Sequence, residues 1–180
     1  MMTTRALELV TLTVVLAVAV SGAACATLRG GATPIHDITT DMNDPPAFVD
    51  VLPLRAGASN SGIYGGSAVA ALQLAAYPDI VPADLAMTPA AAFAKSHTIA
   101  SKMGWALVSV DSSSGRIEAT ATTRWFRFKD DVVIRVRPRE GGSRVDLRSV
   151  SRIGKSDWGK NAARIRDFIK RLRAPAPDSP

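Results

Sequence analysis

From Ile117 onward the chain alternates apolar and polar positions with a period of two. Ile117, Ala119 and Ala121 are interleaved with Glu118, Thr120 and Thr122. Val132, Ile134 and Val136 are interleaved with Val133, Arg135 and Arg137. Val145 and Leu147 are interleaved with Arg144, Asp146 and Arg148. Side chains alternate across a strand, so each run predicts a strand with one apolar and one polar face. "WALVSV" supplies a fourth strand ahead of them. The links "DSSSG" and "REGGS" have hairpin-turn composition. The pattern predicts a four-stranded antiparallel meander, apolar on one face and charged on the other. Glu118, Thr120, Thr122, Arg135, Arg137, Arg144, Asp146 and Arg148 belong to the charged face, read as open.

The spacing changes to helical on either side of the strands. "TPAAAFAKSHTIASKMGW" predicts a helix with Thr88 as N-cap, Pro89 in its first turn and Gly104 as its stop. Phe93, Ser96, Ala100 and Met103 share one of its faces. A last helix is expected from near Ser156 or Asp157. Trp158, Ala162, Ile165, Ile169 and Leu172 form its apolar stripe, with Phe168 beside them. "AVAALQLAAYPDIVP" reads either as a helix ended by Pro78 or as an irregular strap. Pro45-Pro46 forbids helix in the preceding segment, which is expected to lie extended against the domain. Both helices can cover the apolar face of the sheet. The expected architecture is an α+β two-layer sandwich in the order α-β-β-β-β-α with an extended N-terminal strap.

The N-terminus has a different pattern. Arg5 precedes the apolar run "LVTLTVVLAVAV" and the small-residue stretch "SGAACA". This is the n-, h- and c-region order of an export signal. Cys25 also admits a lipoprotein reading, although Gly22 stands where a large aliphatic residue is usual. Leu9 to Leu28 carries no charge and is long enough for an uncleaved anchor. The three readings share export of the domain, to the periplasm or a membrane surface. The expected organisation is a signal or anchor over 1–26, an extended Pro/Asp-rich segment over 27–53, one α+β domain over 54–173, and a disordered tail over 174–180.

Composition narrows the chemistry. One cysteine and two histidines, His36 and His97, exclude a disulfide framework and a Cys- or His-rich metal centre. No metal or cofactor is expected. The formal charge is +6, but Arg124–Arg173 holds sixteen Lys and Arg against six Asp and Glu. The rest of the chain is mildly acidic. A basic half beside an acidic one implies anionic partners or internal charge complementarity.

Two clusters can carry chemistry. "RSVSRIGKSDWGKNAARI" places Arg148, Ser149, Ser151, Arg152, Lys155, Asp157 and Asn161 around a strand-to-helix junction. Free N–H groups at a helix start, with Arg and Lys beside them, suit an anion. The competing reading is a corner tied by its own residues, with Asp157 and Ser156 at the helix start. The second cluster is His36, Asp37, Thr40 and Asp41 in "HDITTD". It meets no known metal-ligand spacing, and it suits local turns or docking of Asp37 or Asp41 onto Arg148 or Arg152. A hydrolase would need His36 as its base, since no G-x-S-x-G elbow is present. Trp125, Phe126 and Phe128 alternate with Arg124, Arg127 and Lys129, a pattern of single-strand nucleic-acid platforms, but an exported protein rarely meets nucleic acid.

"IHDITTDMNDPPAF", "YPDI", "MGW", "IEATATTRWFRFKDDVVIRVRP" and "VDLRSVSRIGKSDWGKNAARI" together resemble the bacterial and plastid family called domain of unknown function 1499. The resemblance spans roughly Pro34 to Leu172. It implies no activity and no catalytic residues, and it implies an exported or membrane-anchored N-terminus, as is frequent in that family. The expected function is a non-enzymatic envelope module that binds an anionic envelope component, a membrane surface or a protein partner, and not nucleic acid. The alternative is a small hydrolase or metal-assisted enzyme using His36 with Asp and Ser residues.

Overall fold

The computed structural model describes residues 33–175. The expected signal or anchor and the last five residues of the tail lie outside them. In chain order the elements are β1 (Asp37–Thr39), a 3-10 helix (Leu52–Arg55), α1 (Gly66–Ala76), β2 (Ala83–Leu85), α2 (Pro89–Lys102), β3 (Ala106–Asp111), β4 (Arg116–Thr122), β5 (Lys129–Arg139), β6 (Gly142–Ser151) and α3 (Lys160–Arg173). Among the described residues no helix is long and apolar enough to cross a membrane.

The fold is α+β with an antiparallel sheet. Strands β3, β4, β5 and β6 pair in succession, each antiparallel to the next. The expected count of four strands and two helices is corrected to six strands and three helices among the described residues. The extra strands are three residues each, too short to show a period. They form because β6 is ten residues long and one of its edges is free after β5 has paired. β2 takes Ser143–Val145 of that edge and β1 takes Arg148–Val150. A sheet edge left unpaired exposes its N–H and C=O groups, and two short strands remove that exposure.

The segment "AVAALQLAAYPDI" resolves as helix α1, ending at Ala76 ahead of Pro78. Only Gln73 of α1 is fully buried, and it covers the outer edge of β1. Its side-chain oxygen accepts from Thr39 N–H at 2.9 Å and its amide donates to Thr39 C=O at 2.6 Å. One glutamine thus replaces a missing strand neighbour.

The apolar face is covered by α2 and α3. Ile117, Ala119, Val132, Ile134, Val136, Val145 and Leu147 form one core with Ala92, Ile99, Ala162, Ile165, Phe168 and Leu172. Phe168 is fully buried and stacks on Trp105 with ring centroids 5.6 Å apart. Burial of such a side chain contributes about 1.5–3 kcal/mol. Thr88 caps α2 as its position predicts, its hydroxyl accepting from Ala91 N–H. Helix α3 begins at Lys160, later than expected, because Gly159 at φ +77 turns the chain first. Trp158 therefore falls ahead of the helix and outside its apolar stripe. It is 78% exposed.

The charged face is not open. The segment between β1 and α1 crosses it as a strap. Phe48 and Val51 pack on Val133 and Val150. Glu118, expected in solvent, is fully buried; its two carboxylate oxygens accept from Val49 N–H and Val51 N–H, each at 2.8 Å. Asp131, Asp146 and Arg148 are buried on the same face. The sheet thus lies between a helical layer and a strap.

Candidate functional site

The polar residues under the strap fall into ionic knots, the first between two strands and the others between strand and strap. Strand register sets the first. Thr39 of β1 lies opposite Arg148 of β6, and Asp37 opposite Val150. Asp37 and Arg148 therefore share the strap face on neighbouring strands. Arg148 donates from Nε to Asp37 Oδ1 at 2.9 Å and from Nη2 to Oδ2 at 2.7 Å. The pair is a two-pronged fork buried on both sides, with side-chain exposure of 2% and 5%. The guanidinium also lies 5.1 Å from the Phe48 ring centre and 5.3 Å from that of Tyr64. Burial, aided by the negative charge of Asp37 and opposed by Arg148, pushes the Tyr64 hydroxyl up to about 12. A buried charge costs several kcal/mol unless it is paired and bonded, and this pairing meets that condition.

The second knot centres on Asp131, fully buried. Its Oδ2 accepts from Arg55 at 2.5 Å and from Arg152 Nε at 2.9 Å. Its Oδ1 accepts from Arg152 Nη2 and from the Thr120 hydroxyl, each at 2.8 Å. Arg152 also donates to Leu54 C=O at 2.6 Å, which ties the 3-10 helix to the sheet. The third knot lies at the opposite end of β5 and β6. Arg135, Arg137 and Arg144 surround Asp146 and Asp41, and Asp44 closes on Arg135 and Arg137. Burial is the largest influence on Asp41 and acts upward. The Asp44 and Asn43 amides and the charges of Arg144 and Arg135 outweigh it, so its carboxyl lies below the usual range.

On the helix face the strand-to-helix junction is tied in the same way. Asp130 faces α3 while Asp131 faces the strap, as adjacent strand residues must. Arg164 donates to Asp130 at 2.6 Å and to the Ser149 hydroxyl at 2.9 Å. The Ser149 hydroxyl donates to the Asn161 side-chain oxygen at 2.7 Å. The Asn161 amide donates to the Ser151 hydroxyl and to His36 C=O, each at 3.0 Å. Asp157 caps α3, accepting from Gly159 N–H at 2.9 Å and Asn161 N–H at 2.7 Å. Burial raises the Asp157 carboxyl, partly opposed by those two N–H groups.

These bonds locate every residue singled out from the sequence. The sheet divides the first cluster: Arg148 and Arg152 lie on the strap face and Ser149, Ser151, Asp157 and Asn161 on the helix face, and each has partners within the chain. Lys155 stands apart, exposed on the loop. His36, Asp37, Thr40 and Asp41 do not converge. Asp37 joins Arg148, and Asp41 joins the arginines at the other end. The Thr40 hydroxyl accepts from Leu147 N–H at 2.9 Å, and the buried Nδ1 of His36 has no hydrogen-bond partner. A cavity of about 910 Å³ lies beside α2 and the end of α3, lined by Met87, Ile99 and Leu172 with Lys95, Lys102 and Arg171. None of the candidate site residues lines it.

Sequence reasoning missed Arg55, Phe48, Gln73 and Arg164. Arg55 was the one cation in its segment, and Phe48 followed the Pro45-Pro46 break. Either was a signal that the strap carries its own anchors.

The uncommitted groups collect at one end of the sheet. The β4–β5 loop and the β6–α3 loop leave adjacent strands, held together by Arg152 N–H on Lys129 C=O at 3.0 Å. The first presents Trp125 at 84% exposure, Phe126 at 77% and Phe128 at 47%. The second presents Trp158, and Ile153 at 47%. Thr123 closes the first loop, accepting from Phe128 N–H at its hydroxyl and from Arg127 N–H at its carbonyl. Phe126 stacks on Phe128 at 5.7 Å, and Arg124 lies over Trp125 at 5.8 Å. Arg127 and Trp158 both hold positive φ, 55° and 54°. For a residue with a side chain that region costs on the order of 1 kcal/mol, so both loops are held in shape by their surroundings.

The geometry defines a class: an α+β domain whose antiparallel sheet is covered by helices on one face and by an ionically stapled strap on the other. The chain belongs to the family described as protein of unknown function (DUF1499), whose model matches residues 37–172. That span includes Asp37, Arg148 and both exposed loops. No curated protein matches the chain.

Proposed function

We propose that this chain is an exported, non-enzymatic module that binds an anionic envelope component through the basic end of its sheet. The observation that carries the reading is the division of charge at that end. The acids there, Asp130, Asp131 and Asp157, are buried and already bonded. The exposed charges of the two loops and the start of α3 are Arg124, Arg127, Lys129, Lys155 and Lys160, all positive. None forms an ion pair among the described residues. The uncharged run Leu9–Leu28 favours export to a compartment where anionic lipids and glycans are the partners. The hydrolase alternative has less support, because the Ser149 hydroxyl is taken by Asn161 and Arg164, and His36 Nδ1 meets no hydroxyl.

A thermal-shift screen against inorganic phosphate, glycerol phosphate, acidic glycans and divalent metals tests the reading. A ligand at about a hundred times its dissociation constant stabilises by about 2.7 kcal/mol. For a domain of this size that raises Tm by about 5–10 °C. The expected result is a rise with an anion that Arg127→Gln and Lys155→Gln abolish without lowering the unliganded Tm. A rise with metals alone would refute it.

A further inference from the structure

We infer that the occupant of this end is the interfacial zone of an anionic lipid bilayer, into which Trp125, Phe126 and Trp158 insert. The inference rests on the anion-binding reading above and adds a partner and a mode of contact. Soluble chains rarely expose a contiguous group of large apolar side chains, and such a group marks an interaction surface. Here four aromatics and Ile153 stand on two loops leaving neighbouring strands, which are about 5 Å apart in a sheet. Five cations rim them and no exposed carboxylate lies on either loop.

The composition separates a membrane from the other candidates. Tryptophan prefers the headgroup level of a bilayer, where an apolar ring and a polar N–H are both accommodated. Arg and Lys beside it gain from the negative surface potential of anionic lipids. A protein partner is distinguished by experiment, by whether the tryptophans are buried in a dimer in solution. A nucleic-acid platform would lay its aromatics along a sheet or groove for successive bases, whereas these project from loop tips. The loops are also pre-shaped. Thr123 closes one and the left-handed residue Trp158 turns the other outward, so little ordering is needed on contact.

Tryptophan itself is the reporter. The chain has three; Trp105 is buried against Phe168, and residues 1–32 contain none. Fluorescence changes on membrane contact therefore read the two loops, whatever the N-terminus does. The full-length protein is mixed with phosphatidylcholine vesicles with and without phosphatidylglycerol, each carrying a bromolipid quencher. The expected result is quenching and a blue shift on the phosphatidylglycerol vesicles, weakened by salt. Quenching persists in part in Trp125→Phe and in Trp158→Phe, since each leaves one reporter. Phe126→Ser weakens the quenching titration by about tenfold, the cost of one lost apolar side chain. The wild-type quenching needs no variant to fold, and far-ultraviolet circular dichroism checks folding in each variant.

Protein bound to anionic vesicles with its tryptophans unquenched would overturn insertion and leave the anion reading standing. Quenching equal on both vesicle types and indifferent to salt would overturn both. Preference for a single-stranded oligonucleotide over the vesicles, or a dimer that buries the tryptophans in solution, would overturn the membrane as occupant.

Discussion

Breaking the Asp37–Arg148 fork from one side tests whether β1 is held on β6 by buried charge. Asp37→Asn keeps the size of the side chain but removes the charge that receives both Arg148 donors. Arg148 is 2% exposed, so the guanidinium cannot turn to water. Its remaining acceptor is Pro46 C=O at 3.4 Å. Loss of one member of a buried pair costs about 3–5 kcal/mol. Arg148→Met leaves Asp37 unpaired and also loses the ring contacts with Phe48 and Tyr64, each about 0.5–2 kcal/mol. It should be the more damaging of the two. Domain stability is about 5–15 kcal/mol, so either change removes a large part of it. With a urea m-value of about 2 kcal/mol/M, a loss of 4 kcal/mol moves the midpoint down by about 2 M. The variant Asp37→Leu with Arg148→Met removes both charges and should lose much less than the two single losses summed. Urea melts followed by far-ultraviolet circular dichroism, with the m-value checked for constancy, measure all of these. Single losses below about 1 kcal/mol, or a double equal to the sum, would refute the reasoning.

Gln73→Leu should leave Thr39 N–H and C=O buried without partners, costing about 1–3 kcal/mol for each unsatisfied group; amide exchange at Thr39 should accelerate more than at the centre of β5, and equal protection would count against the edge-covering role. Asp41 has a folded-state pKa below its ordinary 3.8, so its contribution is present above that value and lost as pH falls below it. Asp41→Asn should therefore flatten the acid limb of stability against pH, measured by urea midpoints across the acid range. Asp157 runs the other way, since its raised pKa gives a contribution that fades as pH rises through the acid range.

Local pattern determined much of this protein. Period-two alternation in "RIEATAT", "VVIRV" and "RVDLR" placed the strands and assigned each side chain to its face, because a pleated strand leaves no other arrangement. Thr88-Pro89 placed the start of α2 to the residue. The resemblance of the long central and C-terminal motifs placed the chain in its family. The fate of the charged face was decided only in three dimensions. Glu118 and Arg148 look like solvent-facing residues by their spacing, and spacing cannot report a strap arriving from some seventy or more residues away. Whether a buried charge is tolerated depends on a partner that only packing supplies. The same holds for β1, β2 and Gln73, which exist because β6 offered an edge to cover. It holds for Trp158 as well, which helical spacing assigned to the core. One glycine after it, in the left-handed region, moved the helix start past it and left its ring outside.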